Sequence, residues 1–187
     1  ITLADNDPKN SVTTFKFDIT GNSVEAGASC CRLKSWTFDS SNGAYAFPIS
    51  ESSGDAGQLT TSSSFDFNTG LVKSTTDANN QIATVTYNPN TLRVVRTDSP
   101  NGAWETFNYS DTTFPYYVSS TRSLDDTRST SLWIFYDGIG NSIRTRRQTA
   151  NGYLSNDIAL DIMGRAEKAF TPYTVSNLLD ERPMDIK

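Results

Sequence analysis

One pattern constrains this chain more than any other, and it returns every 21 to 27 residues. It consists of an aromatic residue, an Asp, a short polar run, a Gly, and then an aliphatic or long side chain. It reads Phe17-Asp18-Ile19-Thr20-Gly21, then Phe38-Asp39-Ser40-Ser41-Asn42-Gly43, then Phe65-Asp66-Phe67-Asn68-Thr69-Gly70. Further on come Tyr136-Asp137-Gly138-Ile139-Gly140 and, with an aliphatic anchor, Leu160-Asp161-Ile162-Met163-Gly164. Two degenerate copies, Tyr87-Asn88-Pro89-Asn90-Thr91-Leu92 and Tyr109-Ser110-Asp111, fill the gap. With Phe17, Phe38, Phe65, Tyr87, Tyr109, Tyr136 and Leu160 as anchors, the spacings are 21, 27, 22, 22, 27 and 24, and Asp follows the anchor in five of seven copies. Self-similarity at so narrow a period marks a repeat architecture.

The chemistry of the unit says what it builds. An Asp carboxylate accepts hydrogen bonds from backbone N–H groups a few residues on, which nucleates a turn. The Gly then supplies the positive φ needed to leave the turn into the next strand, often through a bulge. Asp18, Gly21, Asp39, Gly43, Asp66, Gly70, Asp137, Gly140, Asp161 and Gly164 are therefore assigned as turn residues. Upstream of the turns the residues alternate as strands do: Thr13, Phe15 and Phe17 share one face, Ala83, Val85 and Tyr87 another, and Glu105, Phe107 and Tyr109 a third. A second set of turns closes the other strand ends at Asp77-Ala78-Asn79-Asn80, Ser99-Pro100-Asn101-Gly102, Asp125-Asp126-Thr127-Arg128 and Ala150-Asn151-Gly152. The expected fold is all-β: an antiparallel meander of about seven two-stranded hairpins running as a single array over residues 1–187. Two strands per repeat implies about 8 residues each, roughly 26 Å long. The run Ser131-Leu132-Trp133-Ile134-Phe135-Tyr136 is apolar on both faces, which predicts cover on both sides of the sheet there. Only a short helical turn near Val175–Glu181 is compatible with this pattern.

Composition narrows the function. With 10 Phe, 8 Tyr and 3 Trp the chain carries too much apolar surface for disorder. A net charge of -5 argues against nucleic acid, which demands a basic face. No apolar run approaches the roughly 18 residues of a membrane span, so membrane insertion is not expected. The chain opens on Ile1 without a signal peptide, so any targeting signal is expected to lie outside it. Adjacent Cys30 and Cys31 read as two thiols rather than a disulfide.

The absence of His removes Ser-His-Asp and Cys-His catalysis and His-containing zinc sites, and two Cys cannot build a structural zinc site alone. The glycines sit at hairpin turns and not in a phosphate loop before a helix. Carboxylate chemistry of the glycosidase kind would fall to Asp125, Asp126 and Asp137, but turn aspartates need no catalytic explanation. No enzyme, cofactor or metal is expected. A ligand surface, if present, would use Trp104 stacking on a glycan ring together with Arg144 and Arg146, which share a strand face; the plainer reading of the arginines is a charged edge that discourages strand pairing. Asn108-Tyr109-Ser110 fits a glycosylation acceptor.

These motifs resemble the YD repeat, also called the RHS repeat. The resemblance is strongest at Tyr136-Asp137-Gly138-Ile139-Gly140-Asn141-Ser142-Ile143-Arg144 and its continuation to Leu160-Asp161-Ile162-Met163-Gly164-Arg165, and at Thr69-Gly70-Leu71-Val72-Lys73 with the linker after it. It extends over about residues 12–175 and is weakest over 25–60. It implies a long β-sheet coiled into a hollow shell, as in bacterial RHS and toxin-complex proteins that enclose toxin polypeptides, and in the barrels of animal teneurins. No segment here resembles the core that closes bacterial shells and carries their self-cleaving aspartates. The implied role is a non-catalytic wall segment of a secreted or cell-surface protein, whose partners are further repeats and an enclosed polypeptide. End strands of such a wall, lacking caps, would pair with further strands. The competing expectation is a carbohydrate- or cell-surface-binding β module.

Overall fold

The computed structural model describes residues 12–28, 32–41, 44–54 and 59–180. Cys30, Cys31, Gly43 and Glu181 lie outside the described residues. Fifteen strands and no helix occur among the described residues, and all the strand pairing is antiparallel. The all-β meander expected from the repeat is borne out. Among the described residues, no helix is long and apolar enough to cross a membrane. Residues 176–180 form a bend and turn rather than a helix.

The chain divides into two compact units, with the boundary between Val85 and Thr86. Unit 1 holds β1 (Thr13–Phe17), β2 (Ser23–Ala28), β3 (Arg32–Phe38), β4 (Pro48–Ser53), β5 (Leu59–Phe65), β6 (Val72–Thr76) and the start of β7 (Ile82–Tyr87), each paired to the next. Unit 2 holds β8 (Val94–Asp98), β9 (Trp104–Ser110), β10 (Tyr116–Ser123), β11 (Ser129–Tyr136), β12 (Ser142–Thr149), β13 (Gly152–Leu160) and β14 (Ala166–Ala169), again paired in sequence order. The last strand, β15 (Tyr173–Val175), pairs with β13 at Tyr153–Ser155 while β14 takes Ile158–Leu160. Strands run from three to nine residues, so the uniform length of about eight holds only for β10 to β13. Elsewhere the turns and bulges take residues that the repeat spacing had assigned to strand.

Each odd-numbered strand from β1 to β13 ends at an anchor or, in β9, one residue beyond Tyr109. The Asp after the anchor starts a turn, and three of these turns share one geometry. After β11, the Asp137 N–H donates to Asn141 O at 3.0 Å and the Gly140 N–H to Asp137 O at 3.3 Å. The turns at Asp18 and Asp161 close through the same pair of bonds, and so do those at the other strand ends that begin at Asp77 and Ser99. This is a three-residue hairpin loop whose last residue is left-handed, and after the anchors, though not beside Asp77 or Ser99, the strand pairing slips by one residue next to the turn. The slip falls at Phe17, Phe38, Phe65, Tyr136 and Leu160, the five anchors followed by Asp. Gly140 has φ +92°, a conformation that a side chain resists. The turns after Phe65 and Tyr87 are one residue longer: Asp66 N–H donates to Leu71 O and Asn88 N–H to Arg93 O, with Gly70 at φ +72° in the first and Leu92 at φ +58° in the second. Thus the degenerate copy keeps the turn while tolerating a strained non-glycine residue.

The two units differ in packing. No described residue of unit 1 is buried, and Phe15, Phe17, Leu59 and Phe67 are each more than half exposed. Among the described residues, all the buried ones belong to unit 2 and fall on one sheet face. Cross-strand registers place Ser119, Trp133, Arg146, Ser155 and Tyr173 in one row over five strands, with Phe135, Arg144 and Asp157 in the next. Side chains alternate between faces along a strand, so these rows share a face. The sequence had placed cover on both sides of Ser131–Tyr136. Only one side is covered: Ser131 and Phe135 are buried there, while Leu132, Ile134 and Tyr136 on the opposite face are half-buried. The cover comes from residues 176–180, which fold back over that face and meet Arg146.

Candidate functional site

The turn aspartates share one electrostatic pattern. Asp137 Oδ1 accepts the N–H groups of Ile139 and Asn141 at 3.0 and 2.8 Å, and its Oδ2 accepts Asn141 Nδ2 at 2.9 Å. Asp18 and Asp161 accept from the corresponding residues two and four positions on. Hydrogen bonds to a carboxylate favour its ionised form. The Asn141 side-chain amide, with the turn N–H groups, therefore holds Asp137 below the usual carboxylate range. Bonds from Thr20 do the same for Asp18, from Thr69 for Asp66, and from the Arg165 N–H for Asp161. Asp125 falls furthest, to about 2, through the Arg128 guanidinium and the N–H groups of Thr127 and Arg128. A general acid needs a raised pKa near working pH, and these shifts run the other way. Asp39 accepts the Ser41 N–H at 2.9 Å and heads a longer loop, with its own N–H donating to Phe47 O. Gly21, Gly70 and Gly164 have φ of +89°, +72° and +76°.

The three residues considered for a ligand surface are each engaged within the protein. Arg146 is 0% exposed, which corrects the expectation that it faces solvent. Its guanidinium donates to Ser155 Oγ at 3.3 Å, to Asn177 O at 3.3 Å, and to the carbonyls of Leu178 and Asp180, and it sits 5.8 Å from the centre of the Phe135 ring. An unpaired buried charge is costly, and these carbonyl dipoles with the ring face offset that cost. Arg144 is engaged too: its Nε and Nη2 donate to Asp157 Oδ2 at 2.9 and 2.8 Å. Asp157 also accepts Ser155 Oγ and Tyr173 Oη, each at 2.8 Å. Burial raises its pKa, but the bonds from Arg144, Ser155 and Tyr173 outweigh that and leave it below the ordinary value. Trp104 is half-buried beneath the Arg96 guanidinium, 5.3 Å from the ring centre, and Arg96 is itself held by Asp98.

Ser155, Asp157, Tyr173 and the 177–180 carbonyls are partners that sequence reasoning did not name. Their signal was present in part: Ser155 and Asp157, two apart on a strand, sit opposite Arg146 and Arg144 once the Ala150–Gly152 turn fixes the register. The carbonyls leave no such trace.

On the opposite face of unit 2, at the anchor end, lies an open cleft of about 600 Å³. Tyr109, Tyr116, Tyr136, Arg93, Asp111 and the Asp137 turn contribute to its wall. Tyr116 and Tyr136 are register partners, and Tyr109 pairs with Val118, two residues from Tyr116, so the three tyrosines share a face.

No family model matches the chain, and no curated protein matches it. Among solved structures, the chain is similar to part of a chain in the crystal structure of TcdB2-TccC3-Cdc42, with 14% identity over 81% of this chain and a TM-score of 0.47. It is also similar to part of a chain in the crystal structure of TcdB2-TccC3, with 11% identity over 90% of this chain and a TM-score of 0.45. It spans 10% and 12% of the length of those chains.

Proposed function

We propose that this chain is a non-catalytic wall segment of an RHS-type secreted or cell-surface shell, in which the parent protein encloses a polypeptide cargo. The observation that carries this reading is the packing of unit 1: an antiparallel meander with no buried residue among those described, and with large apolar side chains left exposed. A sheet that does not close its own core is suited to act as a layer, stabilised by neighbouring repeats and by what lies against it. The turns at Asp18, Asp137 and Asp161 fit the same role, since one hairpin geometry that recurs along the chain suits the stacking of successive units. The carboxylates considered for catalysis fit structural work: Asp125 and Asp137 are ionised and committed to their own turns.

Limited proteolysis of the intact parent protein tests the enclosure. A fragment that resists protease in the native shell and is cut once mild denaturant opens it supports the proposal. Equal accessibility of every segment in the native protein overturns it. The non-catalytic part is tested by incubating the chain with polysaccharides: release of reducing sugar that is lost on substituting Asp125, Asp126 or Asp137 by Ala refutes it.

A further inference from the structure

Two guanidiniums without partners meet at a small pocket of about 100 Å³ on the uncovered face of unit 2. We propose that this pocket binds the carboxylate of an acidic side chain on a polypeptide lying against the sheet, with Arg122 and Arg147 as its donors. The other arginines whose side chains are described are all engaged. Arg93, Arg96, Arg128, Arg144 and Arg165 each pair with an Asp, and Arg146 is spent on carbonyls beneath the terminal turn. Arg122 and Arg147 are exposed and have no ion pair, hydrogen bond or ring contact among the described residues.

The sheet register brings the two together. Arg122 on β10 stands opposite Thr130 on β11, and Arg147 on β12 stands opposite Leu132, two residues further along β11. Residues two apart on a strand share a face, so the arginines rise on one face from either side of β11. From strand spacing and rise their Cα atoms are about 12 Å apart, within reach of two long side chains that close on one ligand. Ser120 and Thr130 also line the pocket, and neither hydroxyl has a hydrogen-bond partner among the described residues. Glu105 completes the polar lining: it is the register partner of Arg122 on β9, yet the two form no ion pair.

The charges select the ligand. Two guanidiniums and one carboxylate favour a monovalent anion over a phosphate dianion, whose second charge Glu105 would repel. Guanidinium forks match the two oxygens of a carboxylate, and the two hydroxyls can donate to the same oxygens. The pocket is smaller than the roughly 300 Å³ of a whole small-ligand site but holds several water-sized atoms, so it suits one functional group of a larger partner. Leu132 and Ile134, half-buried on the same face, supply apolar surface for the rest of that partner's chain. This inference stands whether or not the parent protein encloses a cargo.

The experiment titrates the full chain with the blocked tripeptide Gly-Glu-Gly, followed by NMR of the Nε–H groups of isotope-labelled arginine. The Arg122 and Arg147 signals should shift together and saturate, while the matched Gly-Gln-Gly peptide leaves them in place. R122Q and R147Q should each weaken binding about ten-fold through a lost charged hydrogen bond, and R165Q, outside the pocket, should leave it unchanged. Both pocket variants change exposed side chains, so the fold should persist, which the amide spectrum verifies. E105Q should tighten binding about two-fold, because it removes the one repulsive charge. The proposal is overturned if the Glu peptide moves neither signal, if the Gln peptide moves them equally, or if R122Q and R147Q bind like the parent. Tighter binding of inorganic phosphate than of the Glu peptide, or weaker binding by E105Q, would overturn it as well.

Discussion

Replacing Arg146 by Met keeps an aliphatic stem against Phe135 and removes the guanidinium. Four acceptors then lose their donor: Ser155 Oγ and the carbonyls of Asn177, Leu178 and Asp180. Hydrogen bonds to a charged group contribute about 1.5 kcal/mol or more each, so four would sum to about 6 kcal/mol. The three carbonyls belong to a terminal turn that can lift away and regain water, which returns about half of that. Met also avoids the cost of holding a buried charge. The expected loss is therefore about 3 kcal/mol, concentrated where residues 173–180 cover the sheet. Arg146→Lys should fall between the two, since one ammonium cannot span carbonyls on three residues and Ser155 together. Hydrogen exchange provides the local readout and urea unfolding the global one. In R146M the amides of Tyr173–Val175 should lose protection, and the unfolding midpoint of unit 2 should drop. Wild-type exchange at those amides with an unchanged midpoint would mean that the buried guanidinium does not hold the turn in place.

Gly140→Val forces a β-branched side chain to φ +92° and should lower stability by at least about 1 kcal/mol, read as a drop in Tm; an unchanged Tm would show that the turn relaxes without cost. Gly152→Ala would bring a Cβ to 2.2 Å from Val175 O, so β15 should detach from β13, which hydrogen exchange at Tyr173–Val175 reports. Asp125 titrates near 2 when folded against an ordinary 3.8, so its stabilising contribution is full above about pH 4 and is lost as the pH falls toward 2. Urea midpoints should therefore favour the wild type over Asp125→Asn at neutral pH, with the difference shrinking to nothing near pH 2; a difference that is constant with pH would contradict this linkage.

Much of the fold was legible because its signal is local. An Asp that accepts from residues two and four ahead, with a left-handed Gly between, needs no partner elsewhere in the chain, so Asp18, Asp137 and Asp161 could be read from single turns. The same turn also occurs at the opposite strand ends, where Ser99 takes the place of Asp and Asn80 that of Gly. The turn geometry is therefore general to both strand ends, while the full Asp–Gly pair falls in the turns after the anchors. Arg146 was misread because burial is not local. Its strand neighbours Arg144 and Arg147 suggest a charged surface, and only the fold-back of residues 176–180, recorded in no periodicity, places its guanidinium beneath a turn. The tyrosine cleft depends on three loops and two registers meeting at one strand end, whereas sequence reasoning weighed tryptophans singly. Trp104 turned out to be occupied by Arg96.

Electron cryo-microscopy of the full-length parent protein tests the wall reading most directly, viewed in cross-section at this segment. A single layer of strands should follow the meander from β1 to β14, with an enclosed space on one face that holds density for another polypeptide. A second sheet packed directly against this one, forming a compact sandwich without a cavity, or an extended open ribbon with solvent on both faces, would contradict it.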